Sequence, residues 1–288
     1  MVTDPKAGSE WQWDPSLYAG SASYYVRGRV PYPAALVDLL VAELGLDGGD
    51  RLLDVGCGPG SLTLPLAAHC QQVVGVDADA HMLAEGERQA AAAGIRNVEW
   101  VHAKAEELTP SLGPFDAATM AQSFHWMDRE RVAGLLRQLL HEDGALAFVH
   151  ATTHQGVGGS APLSHPRPPW QQIDVLVNEF LGEKRRAGSG YRQVETVSED
   201  ERGVIETSIF RAAGFTGPTR LEVPGWVVNR SEDQVVASVF SLSYAAPHLF
   251  GDRIGAFEHE LRTLLRQASP TGQFSEDMRE IAVDLWHA

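Results

Sequence analysis

The stretch Leu52-Leu53-Asp54-Val55-Gly56-Cys57-Gly58-Pro59-Gly60-Ser61-Leu62 decides the fold. Arg51 to Val55 reads as a short buried strand, and a helix is expected from about Ser61 to Ala68. Between them stand three glycines at alternate positions, which let the backbone bend sharply and approach a ligand at the carboxyl end of the strand. A tight strand-to-helix turn without a ligand would not need three.

The alternation continues outward. Leu36, Leu39, Leu40 and Leu44 space a helix before the strand, ended by Gly45. After it come a strand over Gln72 to Val76, a helix over Ala80 to Ala93 closed by Gly94, and strands over Val98 to Val101 and Phe115 to Met120. A helix over Arg129 to His141 and a strand over Ala145 to His150 follow. Strands and helices in this rhythm make right-handed βαβ units and a parallel sheet covered on both faces. Upstream, Trp11, Trp13, Tyr18, Tyr24, Tyr25 and Tyr32 form an aromatic arm stopped by Pro31 and Pro33. Downstream, Gly156 to Pro169 has loop chemistry, Trp170 to Leu181 reads as a helix, and Gly182 to Tyr191 is polar and basic. Helices are expected over Glu201 to Ala213, Ser231 to Tyr244 and Asp252 to Arg266, with a broken strand over Thr219 to Val228. Ile281, Val283 and Leu285 alternate as in a final edge strand. Four segments result: an arm or lid (1–33), an α/β core (34–150), an insertion fit for a substrate cover (151–200), and a completing segment (201–288).

The composition agrees with one α/β domain. The chain has 288 residues, 44% hydrophobic and 21% charged, as in ordinary globular proteins. Its 38 acidic against 23 basic side chains, a net charge of −15, disfavour a nucleic-acid partner, which needs clustered cations. The run Lys184, Arg185, Arg186 with Arg192 reads as a solvated charge run. Cys57 and Cys70 alone give no disulfide framework, and neither a signal-type leader nor a bilayer-length apolar run is evident. A cytoplasmic protein is expected, with no membrane partner. His150 and His154 stand four apart without a third ligand, so no metal site is expected.

The spacing Gly-x-Gly-x-Gly with Pro59 inside departs from the dinucleotide pattern Gly-x-Gly-x-x-Gly. Asp54 before the turn would repel a pyrophosphate and suits a ligand carrying an ammonium and a sulfonium. Asp77, at the end of the second strand, is placed to accept the two hydroxyls of a ribose, whereas Asp79 suits the cap of the next helix.

With these residues in view, the sequence resembles the class I S-adenosylmethionine-dependent methyltransferases, in particular the methyltransferase type 11 or trans-aconitate methyltransferase-like group. The resemblance rests on Leu53 to Gly60, Val74-Gly75-Val76-Asp77 with Met82, Ala105-Glu106-Glu107-Leu108, and Phe115-Asp116 leading to Gln122-Ser123-Phe124-His125-Trp126, in the family's order. It implies a doubly wound, mostly parallel seven-stranded sheet of Rossmann-like type, with an antiparallel last strand and an inserted substrate cover. It implies S-adenosylmethionine as cofactor and S-adenosylhomocysteine as product. Gly56, Cys57, Gly58 and Gly60 would underlie the methionine part, with Asp54 near its amino group. Asp77 would hold the ribose, Ala78 and Met82 the adenine face, and Ala105 and Glu106 the adenine edge. Lys104 stands where many relatives carry an aspartate. Gln122 would border the cofactor and His125 would face the transferred methyl as a candidate base. In the arm, Arg27 is read as partner of the cofactor carboxylate and Tyr24 and Tyr25 as rings near the acceptor. Trp126, His154 and Trp170 are further candidates for an acceptor pocket.

The function expected is methyl transfer to an O, N or C nucleophile of a small-molecule acceptor. An NAD(P)-dependent oxidoreductase and a non-catalytic cofactor-binding module are the alternatives.

Overall fold

Leu52, Leu53, Asp54 and Val55 are all buried, so the strand they form is covered on both faces and occupies the middle of a sheet. In the computed structural model, which describes residues 14–159, 162–183, 185–187, 190–192 and 199–288, this is strand β1 (Arg51–Val55). It lies between β2 (Gln72–Asp77) and β4 (Phe115–Ala121), both parallel to it. With β3 (Val98–His102), β5 (Leu140–His150), β8 (Thr216–Val223) and β11 (Ile281–His287) the sheet has seven strands in the order β3-β2-β1-β4-β5-β11-β8. Only β11 runs antiparallel to its neighbours. The order reverses at β1, and ligands of such sheets bind beyond the strand ends at that point.

Helices α2 (Ala34–Glu43) and α3 (Thr63–Leu66) cover one face; α5 (Arg129–Leu139) and α7 (Glu199–Ala212) cover the other. Helix α4 (Ala80–Ala93) starts on Asp79, whose carboxylate accepts the His81 and Met82 N–H groups at 2.8 and 3.2 Å, and ends on Gly94 in the left-handed region. A separate cluster joins α6 (Trp170–Leu181), α8 (Glu232–Phe240) and α9 (Ile254–Ala268), with Ile173, Val236, Phe240, Phe257 and Leu261 at its centre. Two small antiparallel pairs lie outside the main sheet: β9 (Val227–Ser231) with β10 (Gln273–Asp277), and β6 (Arg185–Ala187) with β7 (Gly190–Arg192).

Three expectations are corrected. Strand β11 is not at the edge: it pairs with β5 and β8, and its buried run through Trp286 reflects cover on both faces. The broken strand over Thr219 to Val228 is two strands in different sheets, since Pro224 and Gly225 turn the chain from β8 into β9. The arm is not wholly irregular, because Ala22–Gly28 forms helix α1. Its aromatic and β-branched residues are indifferent helix formers, and tertiary contact decides. Ser21 donates its hydroxyl to the Phe240 carbonyl at 2.8 Å, and Gly28 lies where α1 crosses α8. A Cβ at Gly28 would stand 2.3 Å from the Ala237 carbonyl carbon and the Ser238 nitrogen. Backbone cannot yield as a side chain can, so Gly28→Ala should cost about 2 kcal/mol, the middle of the range for overpacking. Limited proteolysis checks this: cleavage within the arm should accelerate relative to cleavage elsewhere.

Candidate functional site

The turn after β1 shows what each glycine is for. Gly56, Gly58 and Gly60 all have positive φ, at 70°, 55° and 82°. A Cβ on Gly56 would fall 2.2 Å from Ser123 Cβ, and one on Gly60 would fall 2.7 Å from the Trp100 ring. At Gly58 nothing lies within 4 Å, so this glycine faces open space. Its N–H donates to Asp77 Oδ2 at 2.8 Å, while the Asp79 N–H donates to Asp77 Oδ1 at 2.8 Å. The loop after β1 and the loop after β2 are thus tied to one carboxylate. Burial pushes the Asp77 carboxyl up to about 6, against the two N–H donors, which favour its ionised form.

Above these strand ends is a concave, partly open cavity. Because β1 separates β2 and β3 from β4, the cavity has two distinct ends. Asp77, Ala78, Met82, Lys104, Ala105 and Glu106 line the β2–β3 side, with Gly58 between; Gly56, Gln122 and Ser123 line the β4 side. Tyr18, Tyr25, Trp126 and Met127 complete the wall. The Tyr18 ring meets Trp126 edge-on at 6.0 Å and Tyr25 at 6.5 Å, so the arm supplies an aromatic side to the cavity. Gln122 holds a φ of 59°, a rare conformation for a residue with a side chain and one that gathers at functional sites.

The cavity therefore brings together Gly56, Gly58, Asp77, Ala78, Met82, Ala105, Glu106, Gln122, Tyr25 and Trp126 from the residues singled out in the sequence. It does not bring in the others. Asp54 is 2% exposed beneath the turn, where the Thr63 and Thr119 hydroxyls donate to its two oxygens at 2.6 and 2.9 Å, so it is not poised beside a ligand amino group. Burial raises its carboxyl to about 6. Cys57 points back against Gly75, and burial pushes its thiol well up. Gly60, with Gly75 and Gly86, makes room for the Trp100 indole. Arg27 is directed outward, with its guanidinium against the Tyr24 ring at 5.0 Å and Nε donating to the Ser23 carbonyl. Tyr24 packs on Phe240 at 5.0 Å, and the Trp170 indole N–H donates to Glu276 at 2.7 Å. His154 lies away from the cavity; burial and the nearby Arg29 and Arg230 depress its imidazole to about 3. His125 is exposed, with its ring beside Trp126 at 4.7 Å, and is not among the lining residues. Trp11, Trp13 and Lys184 lie outside the described residues.

Sequence reasoning missed Tyr18, Ser123 and Met127, and overlooked Arg29. The Arg29 guanidinium stacks over the Tyr25 ring at 4.6 Å and donates to the Ser241 hydroxyl at 2.8 Å and the Ser241 carbonyl at 3.1 Å. Tyr18 and Arg29 had a signal, their place in the aromatic arm; Met127 had none. Among the described residues no three His, Cys, Asp or Glu side chains gather to hold a metal ion. No helix among them is long and apolar enough to cross a membrane.

A reversing sheet, a turn with an open glycine cradle and a carboxylate with spare lone pairs beside an apolar floor fit a nucleoside carrying an amino-acid tail. Fold and site together fit the class I S-adenosylmethionine-dependent methyltransferases. Residues 52–144 match the family model described as a methyltransferase domain, and the chain carries that domain with S-adenosylmethionine as its methyl donor. A Saccharomyces cerevisiae protein named probable S-adenosylmethionine-dependent methyltransferase CRG1 is 28% identical over 66% of each chain. An uncharacterized methyltransferase, Rv3342, of Mycobacterium tuberculosis is 32% identical over 50% of this chain and 56% of its own. The chain thus matches between about half and two thirds of the length of these curated relatives. The cyclopropane synthase MmaA2 of Mycobacterium tuberculosis shares the fold, with a TM-score of 0.54 and 16% identity over 95% of this chain and 96% of its own.

Proposed function

We propose that the protein transfers a methyl group from S-adenosylmethionine to an O, N or C nucleophile of a small cytoplasmic molecule. The observation that carries this reading is the two-ended cavity. A carboxylate and small apolar side chains mark one end, and an aromatic wall with an amide, Gln122, marks the other.

In this reading Asp77 accepts both ribose hydroxyls, Ala78 and Met82 lie against the purine, and Ala105 and Glu106 border its edge. Gly58 leaves room for the backbone to approach the amino-acid part. Arg29, which stacks on the lining residue Tyr25 and is held by Ser241, takes the carboxylate in this reading rather than the outward-directed Arg27. When bound, the cofactor supplies an electrophilic methyl carbon, and the acceptor's lone pair displaces the thioether in line. Tyr18, Tyr25 and Trp126 exclude water and orient the acceptor, where most of the acceleration of such a displacement arises. Within the arm, Tyr18 and Tyr25 cover the acceptor side of the cavity.

No histidine is among the described lining residues, so the reading gives His125 no part as a base. His125→Ala should then keep more than half of the turnover, a difference under about 0.5 kcal/mol in barrier. A loss of a hundredfold in a pH-dependent manner would restore the base role. The function itself is tested with cofactor labelled in its methyl group and a small-molecule extract. Label should move to an organic product with equal release of S-adenosylhomocysteine. Tight binding without transfer to any fraction would favour the non-catalytic module.

A further inference from the structure

The purine end of the cavity is unusual in what surrounds it. A second, more open hollow shares Ala78, Ala103 and Lys104 with the first cavity, and beyond them is bounded by Pro15, His102 and Glu107. Two of the three shared residues are alanines, so the wall between the hollows is low. The carboxylates beside it are held at its border by contacts of their own. Glu106 Oε1 accepts the Asp128 N–H at 2.6 Å, and Glu107 is drawn to Lys104, with Nζ 3.8 Å from Oε1. At position 104 itself stands a cation with donors only, which cannot accept a hydrogen bond from an exocyclic amine.

A purine at this end would therefore present its amino edge toward this hollow, with Glu106 beside it able to accept one amino hydrogen and leave the other position open to a substituent. We propose that the protein accepts adenosyl ligands enlarged at the purine six-amino group, the added substituent lying in the hollow bounded by Pro15, His102 and Glu107. The inference rests on the cofactor orientation in which Asp77 holds the ribose. It sets specificity at this site by the ribose and the amino-acid tail, with the purine edge contributing little.

Calorimetry with S-adenosylhomocysteine and with its derivative carrying a benzyl group on the six-amino nitrogen tests this without reference to turnover. The expected result is dissociation constants within about threefold of each other, less than 0.7 kcal/mol apart. A loss of tenfold or more for the benzyl derivative overturns the proposal. Failure of S-adenosylhomocysteine itself to bind would instead overturn the cofactor orientation on which it rests. His102 borders the second hollow and not the first, so His102→Trp should fill the hollow. It should weaken the benzyl derivative tenfold or more, with the parent ligand held within threefold. Equal binding of the derivative to wild type and variant would show that the substituent lies elsewhere and would overturn the placement.

Discussion

Asp77→Ala is expected to weaken S-adenosylhomocysteine binding about a hundredfold or more, the largest effect of a single substitution on the site. Hydrogen bonds to a charged acceptor contribute roughly 1.5–3 kcal/mol each, and two ribose hydroxyls would lose theirs together. The substitution also removes the acceptor of the Gly58 and Asp79 N–H groups, which holds the two loops in register. Asp77→Asn would turn an NH₂ toward one of those N–H donors, so it should cost nearly as much. Calorimetry checks both, and an affinity within threefold of wild type in either would refute the assignment. The pH dependence gives a second reading. The ionised carboxylate is the form that accepts the hydroxyls, and burial has raised the group to about 6, so affinity should be constant above pH 7 and fall as pH drops through 6. The sign for the unliganded fold is opposite. Its native state takes up this proton before the unfolded state does, so the cost of the buried charge is present above pH 6 and is relieved below it.

Residue patterns carried the core of the fold because one local sequence was strained in a way only glycine satisfies. The three glycines after β1 all proved to be left-handed, and Asp79 caps the helix that its offset assigned to it. What the same motif could not show was direction. Asp54, Cys57 and Gly60 stand in the turn as prominently as Gly58 does, yet they answer to Thr63, Thr119, Gly75 and Trp100, which other elements bring to them. Periodicity likewise found β11 without its neighbours, because an alternating strand looks the same at an edge as between two partners. In the arm, Arg27 and Arg29 stand two residues apart, and only the crossing of α1 over α8 turns the second inward beside Ser241.

That crossing depends on a buried charge pair, and its removal should have the largest effect on stability. Arg230 and Glu276, on β9 and β10, are 3% and 2% exposed and 2.8 Å apart. Three further guanidinium hydrogens go to the Gly28, His154 and Gln234 carbonyls, and Glu276 Oε1 accepts the Gly156 N–H and the Trp170 indole. One ion pair therefore joins the arm, the loop after β5, α6 and the β9–β10 pair. Replacing the pair by apolar groups could be neutral, but Glu276→Ala strands a buried cation and two N–H donors, which costs about 3–5 kcal/mol. For a chain of this size that lowers the melting temperature by about 10 °C. A shift under about 2 °C would refute the role. Because Arg230 also holds the Gly28 carbonyl, the variant should lose cofactor affinity at temperatures where it is still folded, although Glu276 does not line the cavity. His154 supplies the pH arm of the test. Its imidazole is held neutral, depressed to about 3, so the unfolded state protonates first and stability present above pH 6.5 is lost progressively toward pH 3. His154→Gln should flatten that part of the stability profile relative to wild type. In Glu276→Ala the uncompensated Arg230 charge should depress the imidazole further, so acid sensitivity and lost stability should rise together rather than add independently.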